Sequence, residues 1–328
     1  MTSPVLRVSV AMCTYNGARY VGEQLGSILD QTNRPNEIVI ADDGSTDGTL
    51  GVVREIWTER QPGDVSLNIL AQGARLGVTA NFQRAIDATR GDLVALSDQD
   101  DVWHPERLSL ASAAFRADES LLLQNSDARL VDASGRPLGM TLLDALRVSA
   151  VEHDEIDRGQ AFHAYIRRNL VTGATVMFRR SLMAAAAPFP SEWVHDEWLA
   201  IIAAATGRVM LSDVALIDYR QHGSNAIGVA SPTLGYRIGR MLEPRADRYA
   251  RLSARATVLV AKLQILGVDA SIVDLAVEKE RFEAVRASLP AFRPARVAAV
   301  LRELRAGSYS RLSSQGIADV VRDLVQRS

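Results

Sequence analysis

The stretch Val94-Ala95-Leu96-Ser97-Asp98-Gln99-Asp100-Asp101-Val102-Trp103 decides which fold this sequence predicts. An apolar run long enough for one buried strand ends there in three carboxylates within four positions. In an open α/β sheet, ligands bind beyond the carboxyl ends of the strands. Carboxylates at such an end suit a hard divalent cation, which takes oxygen ligands and is often shared with substrate phosphates. An acidic surface turn accounts for the motif equally well in isolation, so its context has to decide.

The sequence around this stretch alternates strand-like and helix-like segments. Apolar runs of strand length are separated by segments whose apolar residues recur at helical spacing, and the connections are short. This rhythm predicts a parallel, doubly wound α/β sheet. The predicted strands are Leu6–Met12, Glu37–Ala41, Val65–Leu70 and Leu93–Ser97, and the helices between them are predicted at 20–30, 49–60 and 80–89. Further along the chain, Leu121–Asn125, Ala128–Val131 and Thr172–Phe178 are predicted strands.

The predicted strands end in polar and acidic residues rather than in glycine-rich turns. Thr14-Tyr15-Asn16 follows the first strand, Asp42-Asp43 the second and the acidic stretch the fourth. The sequence contains no G-x-G-x-x-G after the first strand and no G-x-x-x-x-G-K-[ST] motif. A dinucleotide oxidoreductase and a P-loop phosphotransferase are therefore disfavoured. Acidic strand ends without a glycine-rich phosphate cradle imply that a metal ion neutralises the phosphates.

Composition and charge describe a globular chain with two unlike parts. Of 328 residues, 47% are hydrophobic and 23% charged, as in ordinary soluble domains. The net charge of −2 combines a balance of −9 over residues 1–232 with +7 over 233–328, which suggests different partners for the two parts. A single cysteine fits a reducing compartment, and no secretory signal or membrane-length apolar run is found. A cytoplasmic location is therefore expected, and no nucleic-acid partner.

Several motifs together resemble one enzyme family. Thr14-Tyr15-Asn16, the segment 37–49 (EIVIADDGSTDGT) and the segment 77–103 (GVTANFQRAIDATRGDLVALSDQDDVW) resemble the nucleotide-sugar half of family 2 glycosyltransferases of the GT-A type, including rhamnosyltransferase-like bacterial members. The resemblance is close over 5–110 and looser to about 228. It implies a GT-A-like, mostly parallel sheet in a catalytic domain over 1–231. The nucleotide-sugar half is expected at about 1–110, the acceptor half at about 111–231, and a helical appendage at 232–328.

The resemblance also implies roles for individual residues. A divalent cation, Mn²⁺ or Mg²⁺, would be held by Asp100, with His222 as a second ligand, and would act as a Lewis acid on the leaving diphosphate. Asp196 corresponds to the catalytic base of inverting members. The residues implied in nucleotide-sugar binding are Thr14, Tyr15, Asn16, Asp42, Asp43, Arg75, Asp98 and Gln99.

Two of these assignments have ordinary structural alternatives. Asp196 lies at the N-terminus of a predicted helix, where an anion is stabilised by about 0.3–1 kcal/mol, so its role could simply be to cap and stabilise the helix. Glu197 is its rival as base, because neighbouring helix positions point about 100° apart. His222, in the segment Tyr219-Arg220-Gln221-His222-Gly223, could be a surface loop residue instead of an imidazole ligand.

The C-terminal region has helical periodicity throughout. The predicted helices are Leu234–Leu242, Tyr249–Leu266, Ile272–Leu289, Ala295–Leu304 and Ile317–Val325. Their excess of arginine is either a solvated face or a surface that binds anionic lipid, where each basic side chain contributes about 1 kcal/mol. The second reading predicts peripheral association with the inner face of the cell membrane.

The sequence thus predicts an inverting, metal-dependent hexosyltransferase of bacterial surface-polysaccharide assembly. By the resemblance, the donor would be a UDP- or dTDP-sugar, with dTDP-rhamnose among the choices, and the acceptor a hydroxyl of a saccharide or a lipid-linked saccharide. Two other functions use the same residues: a metal-dependent nucleotidyltransferase or phosphatase, and a non-catalytic nucleotide-sugar binding module. The first is disfavoured by the missing phosphate loop, and the second by the presence of both Asp100 and Asp196.

Overall fold

The computed structural model describes residues 6–70, 73–222 and 246–326, which form two compact units. The first unit runs to Gly159 and resumes at Leu170. The second unit contains Gln160–Asn169 together with the C-terminal helices. The predicted domain boundary at 231/232 and the predicted helix Leu234–Leu242 lie outside the described residues, and both stay predictions.

In its described residues, the first unit contains a nine-stranded sheet flanked by helices. Its strands are β1 (Val8–Thr14), β2 (Glu37–Asp42), β3 (Ser66–Leu70), β4 (Leu93–Ser97), β5 (Val102–Trp103), β6 (Leu121–Val131), β7 (Pro137–Thr141), β8 (Val176–Arg179) and β9 (Arg208–Arg220). Its helices are α1 (Val21–Leu29), α2 (Thr49–Arg60), α3 (Val78–Asp87), α4 (Arg107–Ala117), α5 (Leu142–Leu146), α6 (Ala150–Asp157), α8 (Met183–Ala186) and α9 (His195–Thr206).

The strand order is β3-β2-β1-β4-β8-β6-β9-β5, with β7 attached to β6. Strands β1 to β4 are mutually parallel, β8 is antiparallel to both of its neighbours, and β6 and β9 are parallel. Every residue of β2 and of β4 is buried, which explains their nearly continuous apolar sequence, since both faces of a parallel sheet are covered. The predicted mostly parallel, GT-A-like α/β fold with C-terminal helices is confirmed.

Two predicted strand boundaries were wrong. Leu121–Asn125 and Ala128–Val131 are one strand, β6, whose pairing with β9 shifts register between Ser126 and Asp127. The predicted strand Thr172–Phe178 begins only at Val176, because Gly173–Thr175 forms a 3₁₀ turn. The Gly173 N–H donates to the Asp196 side chain instead of to a neighbouring strand, so the chain leaves the sheet there.

The second unit is helical. Its elements are α7 (Ala161–Arg167), α10 (Ala246–Leu266), α11 (Ala270–Ala287), α12 (Val297–Arg305), α13 (Ser308–Leu312) and α14 (Ile317–Val325). A small apolar core contains Phe282, Val300, Tyr309 and Val320. Across the described ranges, no helix is long and apolar enough to cross a membrane.

Candidate active site

The polar ends of β1, β2 and β4 meet at one edge of the sheet, because these three strands are neighbours and parallel. In register, Thr14 pairs with Asp42 and Met12 with Ser97. The acidic stretch that follows Ser97 therefore emerges beside the ends of the first two strands. This topology brings together the predicted site residues that follow these three strands; Arg75, Asp196 and His222 come from other parts of the chain.

Asp42 and Thr14 organise the loop after β2. The Asp42 Oδ1 accepts hydrogen bonds from the backbone N–H groups of Gly44 and Ser45, at 3.1 and 2.8 Å. Its Oδ2 accepts from the Thr14 hydroxyl at 2.7 Å and from the Ser45 hydroxyl at 2.6 Å. Both Asp42 and Thr14 are buried. These contacts are internal to the protein, so a direct role of either residue in donor binding stays a prediction.

Asp43, Arg75 and Tyr15 form a second group. The Asp43 carboxylate accepts the backbone N–H groups of Leu76 and Gly77, at 2.6 and 3.0 Å. Arg75 Nε lies 3.8 Å from the same carboxylate, and the Arg75 guanidinium sits 4.0 Å from the Tyr15 ring centroid. The Arg75 contact holds the Tyr15 ring in place, and the ring is still open to solvent, since Tyr15 is 38% exposed.

Gln99 ties the acidic stretch to the end of β1. Its Oε1 accepts the Tyr15 N–H at 2.8 Å and its Nε2 donates to the Tyr15 carbonyl at 3.0 Å. A Cβ at Gly17 would lie 2.1 Å from Gln99 Oε1, so this bridge requires glycine at position 17. Asn16 has a similar local role, since its backbone N–H donates to Ser45 Oγ and its Oδ1 accepts the Thr46 N–H.

The three carboxyl groups of the acidic stretch are in an environment that disfavours their charges. Burial raises the pKa of Asp98 to about 7, with repulsion from Asp100 and then Asp196 adding to the shift. Burial raises the pKa of Asp100, although His222 opposes it. The pKa of Asp101 lies well above its usual range because of burial and of repulsion from Asp100 and Asp98. Like charges in a poorly solvated place are stabilised by a cation.

His222 and Arg220 close this cluster from the end of β9. His222 Nε2 lies 2.8 Å from Asp100 Oδ2, and the imidazole stacks on the Tyr20 ring at 4.9 Å. The buried Arg220 side chain donates to the Asp100 carbonyl at 2.8 Å and to Glu23 at 2.6 Å, while its backbone N–H donates to Asp101. His222 is therefore part of the site geometry and not an isolated surface residue.

A divalent cation fits this donor set only with help from a ligand. No group of three or more His, Cys, Asp and Glu side chains within 6–70, 73–222 and 246–326 is arranged to hold a metal ion. Mg²⁺, however, is usually bound by one or two carboxylates plus substrate phosphates, and Mn²⁺ is likewise suited to oxygen ligands. Asp98 and Asp100 supply such carboxylates, and the buried Asp101 Oδ2 has no hydrogen-bond partner. The residues fit a cation that a diphosphate completes.

Asp196 lies in the first turn of α9, and Val194 is the N-cap. Its Oδ2 accepts the Gly173 N–H at 2.8 Å and its Oδ1 accepts the Glu197 N–H at 2.7 Å. Asp196 is 8% exposed and contributes to the raised pKa of Asp98, so the two carboxyl groups are near enough to repel. This position is consistent with a base beside the leaving group, while its catalytic role stays a prediction.

Four residues of the site were not predicted from the sequence. Arg107 is buried over the Trp103 ring at 3.6 Å and donates to the Ala174 carbonyl, and burial lowers its pKa to about 9. In the sequence, Arg220 is distinguished only as a member of the segment Tyr219–Gly223. Gly173 and His195 flank Asp196, and a Cβ at Gly173 would lie 3.0 Å from His195 Nε2. The small-residue segment Thr172–Thr175 was the available signal for Gly173; nothing local marks Arg107.

Solved structures share this fold. S. aureus TarS in complex with UDP-GlcNAc superposes with a TM-score of 0.56 at 19% identity, over 98% of this chain and 82% of that one. The mannosyltransferase PcManGT from Pyrobaculum calidifontis, solved with GDP-Man and Mn²⁺, gives a TM-score of 0.53 at 22% identity, over 97% and 86%. At these identities the similarity concerns the fold alone.

Sequence comparison gives the family. The dTDP-rhamnosyl transferase RfbG of Shigella flexneri is 36% identical over 104 residues, which are 30% of this chain and 35% of that protein. The matches span between about a third and three fifths of the length of the first curated relatives. Residues 9–183, more than half of the chain, match the family model described as Glycosyl transferase family 2. The chain belongs to Glycosyl transferase family 2.

Proposed function

We propose that this protein transfers a sugar from a nucleotide-diphosphate donor to a hydroxyl group, with inversion at the anomeric carbon. One observation carries the proposal: the polar ends of β1, β2 and β4 form a single hydrogen-bonded edge next to Asp196. This edge carries both a ring that is open to solvent, Tyr15, and the carboxyl groups of Asp98 and Asp100. A nucleotide sugar offers a base that can stack on such a ring and a diphosphate that a cation on such carboxylates can bind.

The nucleoside would bind at Tyr15, Arg75 and Asp43. Aromatic rings stack on nucleobases irrespective of base identity, and the Tyr15 ring is braced by the Arg75 guanidinium at 4.0 Å. The Asp43 carboxylate, fixed by two backbone N–H groups, can accept hydrogen bonds from a pyrimidine N–H or a ribose hydroxyl. Uracil and thymine offer the same hydrogen-bonding groups, so both UDP- and dTDP-sugars suit this group.

Asp100 would hold a divalent cation, with Asp98 beside it and His222 as the second ligand. When bound, Mn²⁺ or Mg²⁺ neutralises the charge that develops on the leaving diphosphate. The raised pKa values of Asp98 and Asp100 are those of the protein without a bound cation. Without a cation, His222 Nε2 and Asp100 Oδ2 lie 2.8 Å apart, which connects β9 to the acidic stretch; a cation held by both side chains would replace this hydrogen bond.

Asp196 would take the proton of the attacking hydroxyl. Its two oxygens are oriented by the N–H groups of Gly173 and Glu197, which favours one rotamer of the carboxylate. Attack on the face of the sugar opposite the diphosphate inverts the anomeric centre. General-base catalysis of this kind contributes typically 10²–10⁴-fold.

The donor and acceptor are proposed at a finer level from the relatives. RfbG is named as a dTDP-rhamnosyl transferase, and a relative from Bacillus subtilis that is 29% identical over 131 residues is named as a putative teichuronic acid biosynthesis glycosyltransferase. We accordingly propose a dTDP- or UDP-sugar donor, dTDP-rhamnose first, and a saccharide or lipid-linked acceptor of surface-polysaccharide assembly. The reaction would take place on the cytoplasmic side of the membrane.

The proposal is tested by calorimetry of UDP, dTDP and GDP binding with Mn²⁺ or with EDTA, for the wild type and for Asp100→Asn. We expect UDP or dTDP to bind far more tightly with Mn²⁺, and Asp100→Asn to remove this difference. Equal affinity in EDTA would refute the cation site. Release of nucleoside diphosphate that depends on a saccharide acceptor distinguishes transfer from phosphatase or nucleotidyltransferase activity, and binding without any release would leave only a binding module.

A further inference from the structure

Two helices of the second unit, α12 and α14, have exposed apolar residues. Ile317, Val321 and Val325 lie at i, i+4 and i+8 of α14 and are 67%, 43% and 43% exposed. Val297 and Leu301 lie at i and i+4 of α12, which packs against α14, and are 43% and 38% exposed. Their neighbours Val300 and Val320 are buried in the core of the unit. Each of these two helices is therefore apolar on its inner side and again on part of its outer side.

In residues 292–326 the carboxylates are buried, whereas several arginines are exposed. Residues 292–326 contain three carboxylates, Glu303, Asp319 and Asp323, and all three are at most 1% exposed. Each one is paired with arginine: Glu303 with the half-exposed Arg281 and, at 3.8 Å, with Arg302, Asp319 with Arg322, and Asp323 with Arg286. In the same segment Arg293, Arg302 and Arg305 are exposed, and so is Arg311, which is paired with Glu278 of α11 at 3.0 Å. The charged groups that this segment shows to solvent are therefore cationic.

We name this surface the cationic face; it consists of the exposed apolar residues of α12 and α14 together with Arg293, Arg302 and Arg305. We infer that the cationic face binds the surface of an anionic phospholipid bilayer. An apolar patch flanked by arginines matches a leaflet in both respects. The side chains of valine, leucine and isoleucine enter the headgroup boundary, and the guanidinium groups bind lipid phosphates. A protein partner would need carboxylates placed around an equally apolar area. An anionic leaflet has negative headgroups above an apolar interior everywhere on its surface, so it needs no such matching.

The inference concerns a surface outside the sheet unit and does not depend on the identity of the donor. It gives the protein a location at which lipid-linked substrates are concentrated. Because vesicle binding needs neither donor nor acceptor, its failure would be distinguishable from a failure of the proposed transfer reaction.

Co-sedimentation of the full chain with vesicles tests the inference. We expect binding to vesicles of phosphatidylcholine with phosphatidylglycerol at low salt, little binding to phosphatidylcholine alone, and release at about 1 M salt, where the Debye length falls to about 3 Å. Arg302→Gln combined with Arg305→Gln should weaken the binding about fivefold for each arginine. Ile317→Ser combined with Val321→Ser should weaken it several-fold by removing apolar contact.

Matched controls come from exposed residues of the sheet unit. Arg54→Gln with Arg116→Gln makes the same change in net charge, and Leu138→Ser with Val151→Ser removes comparable apolar area; both pairs should bind like the wild type. Absence of binding at low salt, equal binding to phosphatidylcholine alone, or equal loss in the controls would overturn the inference. Self-association without vesicles that Ile317→Ser with Val321→Ser abolishes would also overturn it, because the face would then belong to a second copy. Circular dichroism verifies that all variants are folded.

Discussion

The two units each contain a cluster of buried carboxyl groups, and the clusters differ in how far arginine side chains pair with these groups. In the helical unit, Arg286 donates to Asp323 at 2.8 Å and lies 3.2 Å from Glu283 and 3.6 Å from Asp319. Burial alone would lower the pKa of Arg286, but Glu283 and Asp323 raise it above its usual value. At the sheet edge, by contrast, burial and mutual repulsion raise the pKa of Asp98 and Asp101, and the nearby Arg107 guanidinium offsets these shifts only in part.

The difference separates a structural cluster from one that can bind a ligand. Buried charges that are paired within the protein fix the packing of helices, as Tyr249 and Tyr309 illustrate by donating to the same Asp323 at 2.5 and 2.7 Å. Buried carboxyl groups that nearby arginines compensate only in part, as Arg107 does for Asp98 and Asp101, are stabilised further when a cation or cationic ligand binds. Substitutions in the two clusters should therefore affect different quantities.

The largest effect is expected at Asp196. Asp196→Asn should lower turnover by about 10²–10⁴-fold, because the amide cannot accept the proton of the attacking hydroxyl. Affinity for the nucleoside diphosphate should be nearly unchanged, since the residue is proposed to act on the acceptor. Single-turnover kinetics and calorimetry measure the two quantities separately. Glu197→Gln is the matched control and should cost far less; the reverse ranking, or a product that keeps the donor's anomeric configuration by NMR, would contradict the assignment.

A substitution in the helical unit should affect stability instead. Arg286→Met should lower the free energy of unfolding by about 3–5 kcal/mol, because it leaves Asp323 and Glu283 buried without their cation. Arg34→Gln removes an exposed pair with Asp64 and should cost at most about 1 kcal/mol. Urea denaturation followed by circular dichroism measures both variants. A loss of less than about 1 kcal/mol for Arg286→Met would mean that the cluster is not electrostatically compensated as described.

Gly173 tests whether the orientation of Asp196 matters. The added Cβ of Gly173→Ala would lie 3.0 Å from His195 Nε2 and 3.5 Å from Asp196 Oδ2. We expect turnover to fall by about tenfold to 100-fold through displacement of the carboxylate, while the affinity for the nucleoside diphosphate is kept. Gly51→Ala on α2, where a Cβ meets no atom within 4 Å, is the matched control and should be neutral or slightly stabilising. Equal turnover in the two variants would rule out a positioning role for Gly173.

The smallest effect concerns stability against pH at His195. This imidazole stacks on Phe82 at 4.0 Å, neither ring nitrogen has a hydrogen-bond partner, and burial lowers its pKa to about 3. An unfolded histidine titrates near pH 6.5, so the unfolded chain takes up the proton first as the pH falls. The stability associated with neutral His195 is complete above about pH 6.5 and declines by roughly 1.4 kcal/mol per unit below it.

His195→Phe should remove this decline. Between pH 8 and pH 5, the variant should lose about 2 kcal/mol less of its free energy of unfolding than the wild type. His153→Gln is an informative comparison of opposite sign, because Asp213 and Asp157 raise the pKa of His153 against the effect of burial. Urea titrations at the two pH values give both results. Parallel losses for the wild type and His195→Phe would show that His195 is protonated in the folded protein.

The local sequence determined the strands and where their polar ends lie. Buried parallel strands need nearly continuous apolar runs, as in β2 and β4, and a change to Asp42-Asp43 or Asp98-Gln99-Asp100 marks the point where each strand ends. Because parallel neighbours end at the same edge, the predicted grouping of Thr14, Asp43 and Asp98 followed from these runs. The helical character of the C-terminal region followed in the same way from its periodicity.

Only the tertiary structure decided which distant groups satisfy one another. Gly173 N–H meets Asp196, Arg220 meets Glu23 across nearly two hundred residues, and Arg107 is buried against Trp103 with a carbonyl of the turn before β8. The pairing of Asp319 and Asp323 with arginines, which leaves the cationic face without exposed carboxylates, was equally hidden in a sequence that shows only a balance of +7. Periodicity is a local property of the chain, whereas a buried charge or amide is satisfied by whichever group the packing brings within reach, at any distance along the sequence.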